Sequence, residues 1–282
     1  PDGRLHARLT GWWDRRFELP PGFYRARIAP CEAFVSEPWA PARAAGEDAE
    51  GGCVREDLET CLAAGQGIWE RVLAHLVLGP AERAAWHART QGGRARTTWL
   101  LGRVAAKDAV RRLLERRYGL RVAPADVEID ADPQGRPVVR GAWAARLARV
   151  PAVSIAHIQG LAVAVAVPDG AVGVDVERLD RVRDDFGALA LGEAERASVA
   201  ALRPVDSREW ELRCWCAKEA VGKALGRGLG ADPSRLVVER LDPGGRVGIR
   251  VREAEPAEVA WATTGRDDAV VWAVSRRCTS EG

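Results

Sequence analysis

The chain has no methionine, only four histidines, two tyrosines and four phenylalanines, and no real excess of either charge. With 42 basic and 40 acidic residues the formal net charge is +2. No global field therefore marks it as a binder of nucleic acid or of a membrane surface. The longest apolar run, Leu161 to Pro168, is strand-sized and far short of a membrane span. The start, Pro1 to Leu9, is polar and basic and does not read as a secretory leader. Six cysteines at irregular spacing make no disulfide framework. Cys214 and Cys216 stand two apart on an expected helix, so they point to different faces and form a poor metal pair. These absences lead us to expect a reduced, cytoplasmic compartment. Without methionine the chain also lacks a start residue, and we read it as a segment cut from a longer polypeptide.

What is present is ordinary for a globular protein: 282 residues, 47% hydrophobic and 29% charged. That is enough chain for one large domain or two small ones. Residues 1–60 differ from the rest. Gly11-Trp12-Trp13-Asp14 and Leu19-Pro20-Pro21-Gly22-Phe23-Tyr24 are aromatic and turn-rich, and Pro38 to Gly52, rich in Ala, Pro, Gly and acid, reads as a linker. A helix is expected from Asp57 through Ile68-Trp69 to Leu78, subject to breakage at Gly65 and Gly67, with Gly79-Pro80 as its stop.

Beyond it the chain repeats itself. Ala106-Lys107-Asp108-Ala109-Val110 is followed by Gly119-Leu120, Pro124, Val127-Glu128-Ile129 and Asp132-Pro133-Gln134-Gly135-Arg136. Ala217-Lys218-Glu219-Ala220-Val221 is followed by Gly228-Leu229, Pro233, Leu236-Val237-Val238 and Asp242-Pro243-Gly244-Gly245-Arg246. Each copy then ends in an apolar strand, Leu161 to Val167 and Ala269 to Val274. Each reads as a long helix, a Gly turn, a strand, a D-P-x-G turn and further strands. Thr97 to Tyr118 carries Leu100, Leu101, Val104, Ala105, Val110, Leu113 and Leu114 on a helical stripe. The expected fold is α+β, two pseudo-symmetric helix-plus-antiparallel-sheet halves at 61–168 and 169–282, with a ligand cleft between them.

Five groups of residues carry chemistry. In Gly173-Val174-Asp175-Val176-Glu177, strand alternation puts both carboxylates on one face, where they repel unless a cation lies between them. Oxygen ligands at that spacing suit Mg²⁺; alone, such a pair is commonly just a solvated face. In Trp215-Cys216-Ala217-Lys218-Glu219-Ala220-Val221-Gly222-Lys223, Trp215, Glu219 and Gly222 share a helix face and Lys223 follows Glu219 by four. The plain reading is an exposed Glu–Lys pair; the functional one is a third carboxylate with lysines for a phosphate. Ser154-Ile155-Ala156-His157 heads the Leu161 strand. Gly135-Arg136-Pro137 presents an arginine on a rigid turn. Arg83, Arg89, Arg94, Arg96 and Arg103 flank the first long helix, and arginine forks suit phosphate.

Taken together these motifs resemble the 4′-phosphopantetheinyl transferases of the single-chain, surfactin-synthetase type. Their pattern is a G-[IV]-D-[IV]-E strand, then W-x-x-K-E-[AS]-x-x-K about 40 residues on, with a G-[KR]-P turn and an [NS]-[IL]-S-H strand start upstream; all occur here in family order, over Leu76 to Ser275. The resemblance implies a two-half α+β fold with coenzyme A between the halves. It implies transfer of the phosphopantetheine arm to a serine of an acyl carrier protein. It makes Asp175, Glu177 and Glu219 the ligands of Mg²⁺ or Mn²⁺. Glu219, Glu177 and Lys223 become the catalytic groups, and Arg83, Arg136, His157, Lys218 and Lys223 the coenzyme A contacts. Ala156 stands where the family has a serine and Ile158 where a polar residue is common, so one hydroxyl contact should be missing. Trp12 to Trp39 resembles the segment before the transferase domain of iterative enediyne-type polyketide synthases, which implies a carrier upstream in the same polypeptide. Two other readings stay open: another Mg²⁺-dependent phosphoryl or nucleotidyl transferase, and a non-catalytic carrier-docking domain. No G-x-x-x-x-G-K-[ST] loop is present, which counts against a P-loop enzyme.

Overall fold

The computed structural model describes residues 10–11, 21–64, 67–89, 93–202, 206–226, 233–252 and 259–278. The Pro1–Leu9 start, Trp12-Trp13, Leu19-Pro20 and the expected turn at Gly228-Leu229 lie outside them. In chain order the helices are α1 (Pro21–Ile28), α2 (Glu56–Ala64), α3 (Ile68–Val77), α4 (Pro80–Ala88), α5 (Arg94–Tyr118), α6 (Phe186–Ala190), α7 (Glu193–Ala201) and α8 (Ser207–Ala224). The strands are β1 (Glu37–Pro38), β2 (Glu50–Arg55), β3 (Glu128–Ala131), β4 (Pro137–Arg140), β5 (Ala152–Ile158), β6 (Leu161–Val167), β7 (Ala171–Arg178), β8 (Leu236–Asp242), β9 (Arg246–Val251), β10 (Val259–Asp267) and β11 (Val270–Arg277). No helix among the described residues is long and apolar enough to cross a membrane.

Two similar halves follow from the repeat. In the first, α5 lies on an antiparallel sheet of order β1-β2-β6-β5, with the β3–β4 hairpin beside β5. In the second, α8 lies on an antiparallel sheet of order β7-β11-β10-β9-β8. The stripe read on α5 is its buried face, and Gly119 closes the helix in the left-handed region at φ 65°. The two D-P-x-G turns fold alike: Gly135 N–H and Gly245 N–H each donate to the carbonyl of the turn's own aspartate at 2.8 Å. The expected Asp57–Leu78 helix is two helices. Gly67, at φ 79°, takes the left-handed conformation between them that other residues adopt at a cost.

The linker expected over Pro38 to Gly52 is instead part of the core. β2 is an interior strand, paired antiparallel with β1 on one side and β6 on the other. Ala40–Ala45 forms a 3-10 turn whose Ala42 and Ala45 pack with Trp39, Val165, Val174 and Val274 in a third apolar cluster between the two sheets. The small residues that look like linker composition are what this packing requires. A Cβ on Gly51 would meet the Trp39 carbonyl, and one on Gly52 would run into the carbonyl of Ala105 on α5. The halves meet where β5 lies along β7, and there Val174 N–H donates to Ser154 Oγ at 3.1 Å.

Candidate functional site

β7 alternates as its sequence requires. Val172, Val174 and Val176 face the cluster between the sheets, while Gly173, Asp175 and Glu177 share the other face, toward α8. Gly173 lets helix and strand touch, since a Cβ there would collide with the Ala220 carbonyl. Asp175 is therefore 8% exposed. Its Oδ1 accepts from Lys223 Nζ at 2.8 Å, and Lys223 Nζ also donates to the Val174 carbonyl at 2.9 Å. Asp175 Oδ2 is buried with no partner. Burial raises the Asp175 carboxyl against the pull of Lys223. Burial also pushes Glu177 up to about 7, helped by the charges of Asp175 and Glu219. Glu219 is raised by burial and by Asp175. Asp175, Glu177 and Glu219 thus form one electrostatic unit with a single ammonium among them. They are not drawn into ligand geometry: among the described residues no three His, Cys, Asp or Glu side chains gather closely enough to hold a metal.

This crowding has a consequence for the metal-free protein. Glu177 binds its proton more tightly folded than unfolded, so between its ordinary value near 4.5 and about 7 the folded state holds the extra proton. Stability must then fall as pH rises through that window. We expect the Tm of the metal-free protein to drop from pH 5 to pH 8, and Glu177→Gln to flatten that slope. Differential scanning calorimetry on both proteins checks it.

Lys218, expected to face coenzyme A, is elsewhere. It is 2% exposed and paired with Glu195 at 2.8 Å. Glu195 is the third residue of α7; its carboxylate also accepts from Gly192 N–H at 2.6 Å and from Val238 N–H of β8 at 2.7 Å. The first half contains the same strut. Lys107, 0% exposed, meets Glu82 of α4 at 2.5 Å, and Glu82 also accepts from Gly79 N–H and from Ile129 N–H of β3. A lysine one residue before Glu219 must point away from the face that Glu219 presents, because neighbours on a helix diverge by about 100°. The sequence signal for this strut was the second repeat Gly79-Pro80-Ala81-Glu82 and Gly192-Glu193-Ala194-Glu195.

The same correspondence shows where the two halves differ. Lys223 donates to the Val174 carbonyl, and Arg112 to the Gly51 carbonyl, so Gly52 of β2 stands where β7 has Asp175. Asp108 stands where α8 has Glu219. Residues 30–36 fill the space over this carboxylate-poor counterpart. Asp108 Oδ2 accepts from Val35 N–H and Ser36 N–H, both at 2.8 Å. Arg111 donates to the carbonyls of Ala33 and Pro30, and Arg112 to Ser36 Oγ and the Ser36 carbonyl.

A cleft of about 450 Å³ opens where the halves meet. The first half contributes Trp99, Arg103, Arg136, Ser154 and His157, and the second contributes Lys223 and Gly226. Arg136 donates through Nε to Asp132 at 2.6 Å, and its guanidinium lies over Gly226 just beyond α8, so it spans the junction. His157 is exposed at the cleft wall. The structure thus brings Arg136, His157 and Lys223 to one cavity. Arg83 is not among its lining residues; its Nη1 lies 3.2 Å from His75 Nδ1 on the protein surface. Arg96 is committed to Glu70 at 3.1 Å. Trp99 was not singled out in the sequence, which gives no signal that separates a cleft tryptophan from a core one. A second, apolar groove of about 430 Å³ borders Glu177, with Leu212, Trp215, Phe186 and Leu189 on its walls and Arg181 and Arg183 at its edge.

Comparison with curated proteins found no match. Among solved structures the chain is similar to a holo-(acyl-carrier-protein) synthase from Bacillus anthracis in complex with CoA (3′,5′-ADP), at 21% identity and a TM-score of 0.31, over 42% of this chain and 91% of that one. Residues 171–274, which run from the carboxylate strand through α8 to β11, match the family model of the 4′-phosphopantetheinyl transferase superfamily.

Proposed function

We propose that the chain moves the 4′-phosphopantetheine arm of coenzyme A onto a serine of an acyl carrier protein. The observation that carries this reading is the mutually repelling set of buried Asp175 and half-buried Glu177 and Glu219 at the junction of two halves. It lies inside the segment that matches the family model and next to a cleft lined by Arg103, Arg136, His157 and Lys223. The three carboxylates stand too far apart in this structure to ligate one ion, but the buried, unpartnered Asp175 Oδ2 and the single ammonium among three acids leave a charge deficit of the kind that a hard divalent cation would meet. Mg²⁺ or Mn²⁺ held by Asp175, Glu177 and Glu219 would supply charge neutralisation at the pyrophosphate.

The remaining work falls to this chain's own side chains. Lys223 joins the cleft to the carboxylates and faces the pyrophosphate; Arg136 and His157 hold the nucleotide phosphates. The carrier serine Oγ bonds to the β-phosphorus, the bond to the 5′-phosphate oxygen breaks, and adenosine 3′,5′-bisphosphate leaves. Such displacement depends on in-line positioning and charge stabilisation. The serine proton passes to Glu219 or to Glu177. The groove beside Glu177, with Leu189 75% exposed, fits a carrier that delivers its serine there. The likeness of Trp12 to Trp39 to the enediyne-type synthases supports a carrier in the same polypeptide.

Incubation with coenzyme A, Mg²⁺ and an apo carrier, read by intact mass, tests the proposal. A carrier that gains phosphopantetheine supports it. No gain, with coenzyme A bound, favours a docking domain, and transfer of the nucleotide instead favours another transferase. Within this reading His157→Ala should weaken coenzyme A by roughly 10- to 100-fold, the worth of one charge-assisted contact. It should matter far less for 3′-dephospho-coenzyme A. Equal losses for both ligands, by calorimetry, would move His157 away from the 3′-phosphate.

A further inference from the structure

In the first half, residues 30–36 are a main chain bound to the helix face that α8 repeats. Asp108 Oδ2 accepts from the N–H groups of Val35 and Ser36, both at 2.8 Å. Arg112 donates to Ser36 Oγ at 3.0 Å and to the Ser36 carbonyl. The Phe34 ring lies against the same guanidinium, 4.5 Å from its centre. One serine is thus held by a carboxylate at its N–H and by a cation at its hydroxyl. The repeat puts Glu219 at the Asp108 position and Lys223 at the Arg112 position. The geometry agrees, since Arg112 reaches the Gly51 carbonyl of β2 and Lys223 the Val174 carbonyl of β7.

The second half has no such peptide of its own among the described residues. Residues 30–49 lead into β2, whereas β7 follows β6 directly through the turn at 168–170. Glu219 is half-buried and makes no hydrogen bond or ion pair among the described residues. A carboxylate short of donors repels a phosphate unless a cation lies between them, but a peptide brings N–H groups to it. We infer that the carrier serine seats on α8 as Ser36 seats on α5: its own N–H and that of the residue before it donate to Glu219, and its hydroxyl comes beside Lys223. This rests on the reading of the chain as a carrier-modifying transferase. A carboxylate has lone pairs enough to accept both N–H groups and still face a cation. α8 has Gly222 where α5 has Arg111, so the Arg111 bonds to the carbonyls of Pro30 and Ala33 have no counterpart. A carrier is therefore held by fewer bonds than the tethered peptide and can leave after reaction.

The test is calorimetric binding, in EDTA, of an apo acyl carrier protein that the wild-type chain modifies. Removing the metal separates this contact from any ligation of a cation. Glu219→Ala should weaken the carrier by about 10- to 100-fold and coenzyme A by less than about threefold, since hydrogen bonds to a charged group are lost from one ligand only. Glu219→Gln keeps an acceptor without the charge and should fall between. A carrier with proline directly before its serine lacks one of the two N–H groups. It should bind wild type about 10-fold more weakly but lose less than about threefold on Glu219→Ala, because both changes remove the same contact. Equal proline losses on the two chains overturn this inference and leave the transferase reading intact. So does a Glu219→Ala loss that falls on coenzyme A in place of the carrier. If the proline carrier does not fold, the comparison of carrier with coenzyme A on Glu219→Ala decides alone. If the wild-type chain modifies no apo carrier, the transferase reading falls and this inference with it.

Discussion

Asp175→Ala should abolish transfer at any Mg²⁺ concentration, with the fold intact. Under the proposed function it removes one of three anionic ligands and frees Lys223 from its 2.8 Å contact. Preorganised charge stabilisation of this kind is worth roughly 10²- to 10³-fold per group, and removing one ligand of a shared cation should cost at least that. The fold should survive because Asp175 is not a structural asset. Its carboxyl is raised by burial and its Oδ2 has no partner. Lys223 keeps the Val174 carbonyl and is part-exposed, so its ammonium can be rehydrated. The Tm of Asp175→Ala at pH 8 should therefore match or exceed that of wild type, since one of three crowded negative charges is gone. EDTA should reproduce the loss of activity in the wild type. Turnover near wild type in the variant, measured by carrier mass, would remove the strand carboxylates from the mechanism.

Lys218→Met should show the reverse pattern, a large loss of stability. Lys218 is sealed in the second half against Glu195, and deleting one member of a buried pair leaves the other charge uncompensated. Such losses run to about 3–5 kcal/mol. Glu195 would keep its two backbone donors but no cation. The discriminating control is Lys107→Met, which breaks the equivalent pair with Glu82 in the other half. Both variants should lose stability to a similar extent in urea denaturation, although only one lies beside Glu219. Adding Glu195→Gln to Lys218→Met should restore part of the loss, because the stranded charge is then neutral. A stable Lys218→Met with a raised KM for coenzyme A would return Lys218 to the ligand.

How much of this was legible in the sequence depends on the kind of residue. The apolar stripe of α5, the alternation of β7 and the paired D-P-x-G turns are local patterns, and they appear where they were read. Asp175 and Glu177 share the strand face that alternation gives them; Glu219 was joined to them through the resemblance, and the three act on one another electrostatically without gathering closely enough to hold a metal. Lys218 was misassigned because its partner, Glu195, lies 23 residues upstream, and nothing local shows which side of α8 is sealed. Pro38 to Gly52 was misread because Ala and Gly signal slack chain in composition but close approach in packing; only the Ala105 carbonyl above Gly52 tells them apart. Arg83 was placed by the resemblance alone, and it meets His75 at the surface instead of lining the cleft. Arg103 was one of five arginines flanking the first long helix, and composition alone does not show which of them meets Trp99.

The peptide lodged over Asp108 bears on how the unit can be moved between larger proteins. Cut at the repeat, near residue 61, the first half would lose β2 and the segment that satisfies Asp108, Arg111 and Arg112. Three charged groups would then lie at a raw surface, and α5 would lose a strand it packs on. It would also sever Arg276 of β11 from Asp48, at 2.5 Å, and so loosen the second half. The transplantable module is thus wider than the internal duplication, and a graft should be joined ahead of Pro30.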